Sequence, residues 1–393
     1  MKTRLASNKI LCVGFSGFPK GFAQVQRQML LAKCLTVEGF EVTVLCRYGV
    51  HEKTNSIPSE GIVDGIRYCY CSGISTRPEN YIKRNFLKLK GLLYESLIIY
   101  KSSKKGNLAC ILISTNFFHN VIFYWVLAKL FHIRTIIDNV EYWTSFPGLE
   151  GIVRIEKILY DRYYFRFTDK IISISDFLTE RIPVSKRKNV IKIPAITDFE
   201  KFGNIKQEKS ARPYLEEKYF LYCGSEVYHE VIEFIISAFE LADLSNCFLI
   251  LVTKPTNVLQ ERIRKSKKSS YIRIFFDLPY SDLVSLYSGS VALIIPLRNT
   301  IQDKARFPHK ISEYCASGRP IITNFTSEIC NYFDTTNAYL CSSYDIKEYS
   351  KAMIDVISDE ERARTIALNG YETGLRFFNY KSYSKKLADF IYS

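Results

Sequence analysis

RFPHKISEYCASGRPIITN, residues Arg306 to Asn324, decides how the rest of the chain is read. Pro308 opens a helix, because a proline at the first helical position gives up an N–H that has no partner there anyway. Ile311, Tyr314 and Cys315 follow at the i, i+3, i+4 spacing of one buried face. Gly318 ends the helix in a left-handed cap, and Pro320, Ile321 and Ile322 open a short buried strand. Lys310 and Glu313 share one face of the helix. Two readings of them stand side by side. A helix N-terminus with free N–H groups beside Arg306 and Lys310 suits a diphosphate, and a carboxylate one turn in can accept hydrogen bonds from a ribose diol. The plainer reading is a solvated Lys–Glu pair on a surface helix.

Upstream of this stretch the same alternation recurs. Tyr219–Gly224 reads as a strand and Glu230–Ala242 as a helix. The strands Cys247–Thr253 and Ile272–Phe276, the helix Ser281–Tyr287 and the strand Val291–Pro296 follow. Repeated strand–helix units predict a doubly wound parallel sheet. The first half opens the same way, with a strand at Ile10–Gly14, a loop carrying Gly14, Gly17 and Gly21, a helix over Ala23–Glu38 and a strand at Val42–Cys46. That loop is neither GxGxxG nor a phosphate loop ending in Gly-Lys-Ser/Thr, so a tight turn is its plainer reading. Further strands at Ala109–Ile113 and Arg134–Asp138 flank a helix over Phe118–Leu130. Loops at the carboxyl ends of parallel strands carry ligands, which makes Asp138 and Glu141 of DNVEYWTS candidates for reacting groups. A helix-capping role for Asp138 competes.

The expected organisation is therefore α/β, with an N-terminal Rossmann-like domain over 1–202 and a polar linker at 203–213. A second such domain covers 214–378, and a closing helix covers 379–393. The 393 residues, 47% hydrophobic and 14% aromatic, are enough for two cores. The net charge of +14 calls for an anionic partner: nucleic acid, a membrane surface or an anionic substrate. No nucleic-acid recognition motif accompanies it, so nucleic acid is not the expected partner. The 11 cysteines are scattered and form no CxxC pair, which fits reduced thiols in a cytoplasmic protein. The five histidines form no metal-binding set, and no metal site is expected.

Two stretches bear on membranes. Gly106–Ala128 lacks charged residues apart from His119, but Ser114, Thr115, Asn116 and Asn120 interrupt it, so strand, loop and helix are expected there instead of a transmembrane span. In Arg77–Lys105, Ile82, Phe86, Leu89, Leu93 and Leu97 form one helical stripe among Lys83, Arg84, Lys88, Lys90, Lys101, Lys104 and Lys105. Such a helix can lie on an anionic membrane. It can equally turn its stripe to the core and its basic face to solvent.

The quoted stretch resembles the donor-binding helix of the family-4 retaining glycosyltransferases. It matches their aromatic–Pro–x–Lys–x–x–Glu–Tyr run at Phe307, Pro308, Lys310, Glu313 and Tyr314, and continues the match at Ala316, Gly318, Arg319 and Pro320. TDKIISISDFLTERI and the stretch from Val190 to Phe202 are similar to segments that close the first domain in this family. Three departures stand out. Ala305 occupies the position of the first of two glutamates, and Ser225 and His229 occupy those of an Arg and a Lys that grip the diphosphate.

The resemblance implies the GT-B fold, two Rossmann-like domains facing a cleft, and a nucleoside diphosphate sugar as donor substrate with no separate cofactor. It implies that Glu313 binds ribose, and that Phe307, Pro308, His309 and Lys310 offer the helix start to the diphosphate with charge from Lys310, Arg306 and His229. It also implies that the loop with Gly17 and Gly21 approaches the donor phosphate or the acceptor. Transfer with retention to a surface-polysaccharide or lipid-linked acceptor is expected, at the inner face of the cytoplasmic membrane. Catalytic candidates are Asp138, Glu141 and Lys310. The alternative is a GT-B protein that has lost turnover and serves as a binding or partner subunit.

Overall fold

The computed structural model describes residues 8–21, 23–52, 54, 56–210 and 215–393. The chain divides into two compact units, the first made of residues 1–194 and 380–393 and the second of 195–379. In the first unit the elements run β1 (Lys9–Val13), α1 (Ala23–Val37), β2 (Glu41–Cys46), β3 (Glu60–Val63), β4 (Ile66–Tyr70) and α2 (Tyr81–Lys104). They continue with β5 (Leu108–Ile113), α3 (Phe118–Phe131), β6 (Thr135–Asn139), α4 (Gly151–Tyr163), β7 (Lys170–Ser173), α5 (Asp176–Glu180) and β8 (Val190–Lys192). The strands form one sheet in the order β3-β4-β2-β1-β5-β6-β7-β8, parallel except for the β3–β4 hairpin. β1 sits at its centre, with Cys12 opposite Val44 of β2 and Leu112 of β5. Its residues Ile10 to Val13 are fully buried, which is why they read as a continuous apolar run.

The second unit runs α6 (Phe199–Ser210), β9 (Lys218–Cys223), α7 (His229–Ala242), β10 (Cys247–Val252), α8 (Asn257–Arg264), β11 (Ile272–Phe275), α9 (Tyr280–Gly289) and β12 (Ala292–Ile294). α10 (Ile301–Ala305), α11 (His309–Ser317), β13 (Ile321–Asn324), β14 (Tyr339–Cys341), α12 (Ile346–Ser358) and α13 (Glu360–Phe377) complete it. Its parallel sheet has the order β11-β10-β9-β12-β13-β14. The chain winds outward from β9 in one direction and from β12 in the other, so the topology reverses between these two neighbours. Ligands in open α/β sheets bind at that reversal, beyond the carboxyl ends of the strands. In the first unit the reversal falls between β1 and β5. There Gly14 has φ +106, and a Cβ on it would meet the Ser114 carbonyl oxygen at 2.1 Å. Only glycine lets the two loops come this close.

α14 (Lys381–Tyr392) belongs to the first unit and packs on α1, where Phe40 and Tyr392 stack at 5.5 Å. The polar run 203–213, expected as a linker, is helical as far as Ser210, and 211–213 lie outside the described residues. Polarity misleads here because the helix is anchored at its start by buried Phe199 and Phe202. Gly106–Ala128 is strand, loop and helix, and among the described residues no helix is long and apolar enough to cross a membrane.

α2 shows which way its stripe faces. Its buried residues are Gly91, Glu95, Ile99 and Ser102. Glu95 is wholly buried, pairs with Arg47 at 2.7 Å and accepts a hydrogen bond from the Tyr124 hydroxyl at 2.8 Å. A Cβ at Gly91 would lie 1.9 Å from the Arg47 carbonyl oxygen, so the helix docks through glycine and a buried ion pair. Ile82 (79% exposed), Phe86 (65%) and Leu93 (63%) point to solvent. The core-facing alternative for this stripe is excluded.

Candidate functional site

The carboxyl ends of β9 and β12 carry the two loops that the family resemblance singles out. After β9, Gly224 and Ser225 lead into a short 3-10 turn over Glu226–Tyr228, and α7 begins at His229. The Ser225 hydroxyl accepts the Val227 N–H at 3.3 Å and donates to Glu226 at 3.1 Å, so it closes the turn as a cap. His229 is exposed on the first turn of α7. The loop thus brings no permanent cation of its own.

α11 is fixed to this edge by Tyr314. That side chain is fully buried, and its hydroxyl accepts the Cys223 N–H at the end of β9 at 3.0 Å. Tyr287 packs edge-on against it at 5.2 Å. Pro308 stands one place earlier than expected, as the N-cap with extended ψ of 127°, and no side chain caps the helix start. Gly318 ends it in the expected left-handed conformation, at φ 67°. Lys310 and Glu313 form a 2.8 Å pair with side chains 31% and 15% exposed. Burial works against the Lys310 charge, but Cys223 and Glu313 outweigh it and the net shift is upward, so the ammonium persists throughout the neutral range. Phe307 is instead a core residue, 2% exposed and packed against Phe378 at 5.3 Å and Tyr332 at 5.4 Å. An aromatic ring before the proline is there to seat the helix, so its side chain is not presented to a ligand. His309 is half-buried, and its carbonyl accepts the Ser312 hydroxyl.

A cluster that sequence reading did not assemble lies beside this helix start. Asp303 is fully buried and bridges two guanidiniums, Arg298 at 2.9 Å and Arg306 at 2.7 Å. Arg306 donates to the Tyr228 hydroxyl, and its guanidinium lies 4.4 Å from the Tyr228 ring centroid. Arg298 reaches Glu230 on α7 at 3.2 Å. Burial opposes the Arg298 charge, and Asp303 and Glu230 more than compensate. The segment between β12 and α11 therefore sets two cations beside the turn that has none. Arg298 follows a strand predicted from sequence, but its relevance appears only when β12 is known to neighbour β9.

The candidates in the first unit fare differently. Asp138, at the end of β6, is committed to a buried pair with Arg27 of α1 at 2.9 Å, with side chains 5% and 2% exposed. Arg27 also donates to the Pro194 and Ile193 carbonyls. The pair ties α1 to β6 and, through the arginine, to the residues that follow β8. Glu141 is half-buried in the loop after β6. Gly17 adopts φ +123, and a Cβ on Gly21 would meet Val25 at 2.5 Å. Their loop is held by Tyr70, whose hydroxyl donates to the Phe18 carbonyl at 3.0 Å and meets His51 at 2.8 Å. Among the described residues no group of His, Cys, Asp or Glu could hold a metal ion.

Residues 204–373 match the family model of the glycosyl transferases group 1. The matched residues make up most of the second unit. The likeness to solved structures extends over the whole chain. Sucrose-phosphate synthase from Thermosynechococcus elongatus is 17% identical with a TM-score of 0.74, over 97% of this chain and 98% of that one. HepE from Anabaena in complex with UDP and glucose is 13% identical with a TM-score of 0.70, over 98% and 100% of the two chains. A glycosyltransferase from Rickettsia africae is 14% identical with a TM-score of 0.68, over 98% of both. At such identities the likeness establishes the fold, which is GT-B. No curated protein matches the chain. The match to the group 1 model over most of the second unit, together with the GT-B fold, marks the protein as a glycosyltransferase.

Proposed function

We propose that the chain moves a sugar from a nucleoside diphosphate sugar to a glycan or lipid-linked acceptor with retention of anomeric configuration, as a family-4 enzyme. The observation that carries this is the uncapped start of α11 with its half-buried Lys310–Glu313 pair at the topological reversal of the second unit. Free N–H groups and Lys310 would meet the diphosphate, and Glu313 the ribose diol. Arg306 and Arg298 would supply the charge that Ser225 and His229 do not. In the transfer the bond between the sugar C1 and the diphosphate oxygen breaks, and its electron pair leaves with the nucleoside diphosphate. The acceptor hydroxyl oxygen bonds to C1, and its proton passes to the departing diphosphate. Cations fixed at the leaving group stabilise the charge that develops there, the term expected to dominate. UDP is the favoured nucleotide, because HepE is described with UDP and glucose.

The exposed stripe of α2, with Lys83, Arg84, Lys88 and Lys90 around it, supports docking of the first unit on an anionic membrane. That is where a lipid-linked intermediate of surface-polysaccharide synthesis would be met. All cysteines of the described residues are free thiols, which supports a cytoplasmic location.

A partner subunit without turnover is the second reading, favoured by the absence of a permanent cation on the Ser225–His229 turn. Thermal denaturation with UDP, GDP, ADP and their sugars tests donor binding, since a ligand of the folded state raises the melting temperature. A rise with one nucleotide is expected; identical curves with all of them would refute donor binding. Release of free nucleoside diphosphate from that donor would dismiss the second reading.

A further inference from the structure

The opposite edge of the same sheet holds a cavity of about 490 Å³ in the second unit. It lies at the amino ends of β9, β12 and β13, bordered by Lys218, Val291 and Pro320, whereas the nucleotide site proposed above lies at the carboxyl ends. Four cations line it, Lys206, Lys218, Arg319 and Arg364, against the single carboxylate of Glu360. Glu360 is already paired with Lys218 at 2.9 Å, both side chains being about 60% exposed, so this is a weak rim pair.

Lys206 and Arg319 have no such partner. The Lys206 ammonium donates to the Ser317 carbonyl at 2.7 Å and sits over Gly318, 3.5 Å from where a Cβ would stand. Arg319 donates from Nε to the Ser288 carbonyl at 2.5 Å. Neither meets a carboxylate among the described residues. Burial lowers the pKa of both, and the Arg319 charge lowers that of Lys206 further. Arg364 also makes no ion pair among the described residues. Two cations that line one cavity, with only carbonyl oxygens as side-chain hydrogen-bond partners among the described residues, leave a positive potential that an anion would relieve. Val291, Pro320, Val356 and Ala367 give the same cavity an apolar wall, and its volume falls in the range of small-molecule sites.

We infer that this cavity is a second ligand site, which takes a phosphate monoester with a compact organic body, such as a sugar phosphate. The phosphate sits between Lys206 and Arg319, and the body lies against the apolar wall. The site is separate from the donor site and stands whether or not the donor reading does.

Calorimetry on the full chain with glucose 6-phosphate and with inorganic phosphate, at low and high salt, tests this. Glucose 6-phosphate should saturate one site, bind more tightly than inorganic phosphate and weaken with salt. The double variant Lys206→Gln, Arg319→Gln should lose at least tenfold in affinity. Arg364→Gln, a change at an exposed position, should lose about threefold and decides the matter if the double variant does not fold. Lys310→Ala should bind as the parent does. Absence of saturable binding to the parent, affinity unaltered in the cavity variants, or affinity lost only in Lys310→Ala would each overturn the site. Equal affinity for inorganic phosphate would overturn the organic body.

Discussion

The Arg306 guanidinium sits over the ring of Tyr228, 4.4 Å from guanidinium carbon to ring centroid, and donates to its hydroxyl. This contact joins the loop after β9 to the segment before α11. The loop lacks its own cations, and the segment carries two, locked in place by buried Asp303. A buried carboxylate between two guanidiniums holds them without large entropic cost on ligand binding, because their rotamers are already fixed.

Arg298→Gln is therefore expected to weaken nucleoside diphosphate binding about tenfold, equivalent to about 1.4 kcal/mol. Asp303 keeps Arg306, so the melting temperature should move little. Calorimetry with the free nucleotide reads the first effect and thermal denaturation the second. Loss of stability with unaltered affinity would make Arg298 a purely structural residue.

Lys310→Ala should reduce turnover far more than Lys254→Ala. Both remove one positive charge, so general electrostatic steering is controlled. Lys310 stands on the first turn of α11, whereas Lys254 is exposed in the loop after β10. The expected loss is about 2–4 kcal/mol of transition-state stabilisation, by analogy with removal of one oxyanion donor. Similar small losses in initial rate for both variants would move the diphosphate elsewhere.

Much of this was legible in the chain itself. Parallel strands such as β1 and β9 are buried on both faces and announce themselves as apolar runs, and Gly318 announces the end of α11. What stayed hidden depends on partners distant in sequence. Asp138 looked like a residue at a ligand-binding strand end, but Arg27, 111 positions away, takes it into the interior. The period of α2 revealed a stripe without telling which side it faces. Its orientation is decided by Arg47, which draws Glu95 inward and leaves Phe86 and Leu93 outside. Arg298 joined the candidate site only through strand order.

The interior of the first unit carries a pH signature. Lys157 of α4 is 5% exposed, with its ammonium 4.1 Å from the Phe117 ring centroid and donating to the Asn116 carbonyl. Burial pulls its pKa from 10.5 to about 8. From pH 8 to 10.5 the unfolded chain then binds more protons than the folded one, and stability rises with pH through that window. The shift corresponds to at most about 3–4 kcal/mol. Lys157→Met should lack this rise, so denaturant midpoints of parent and variant should converge or cross as pH increases. Parallel midpoints across the window would show that Lys157 stays charged when folded.

The last prediction concerns α2. Its outward stripe includes Ile82, Phe86, Leu89 and Leu93, each more than half exposed, so substitutions there do not touch the core. Phe86→Ser with Leu93→Ser should leave the melting temperature within about 1 °C of the parent, because surface changes away from packed features cost little. The same pair should lower partition onto anionic vesicles, since insertion of the apolar face contributes in proportion to buried area. Changing Lys83, Arg84, Lys88 and Lys90 to Gln removes the electrostatic part, about 1 kcal/mol for each residue near the surface. Binding of the parent should weaken with salt, and binding of the Gln variant should not. Sedimentation with vesicles of mixed phosphatidylserine and phosphatidylcholine reads all three. If parent and both variants sediment alike, α2 does not meet the lipid and its exposed stripe serves another surface.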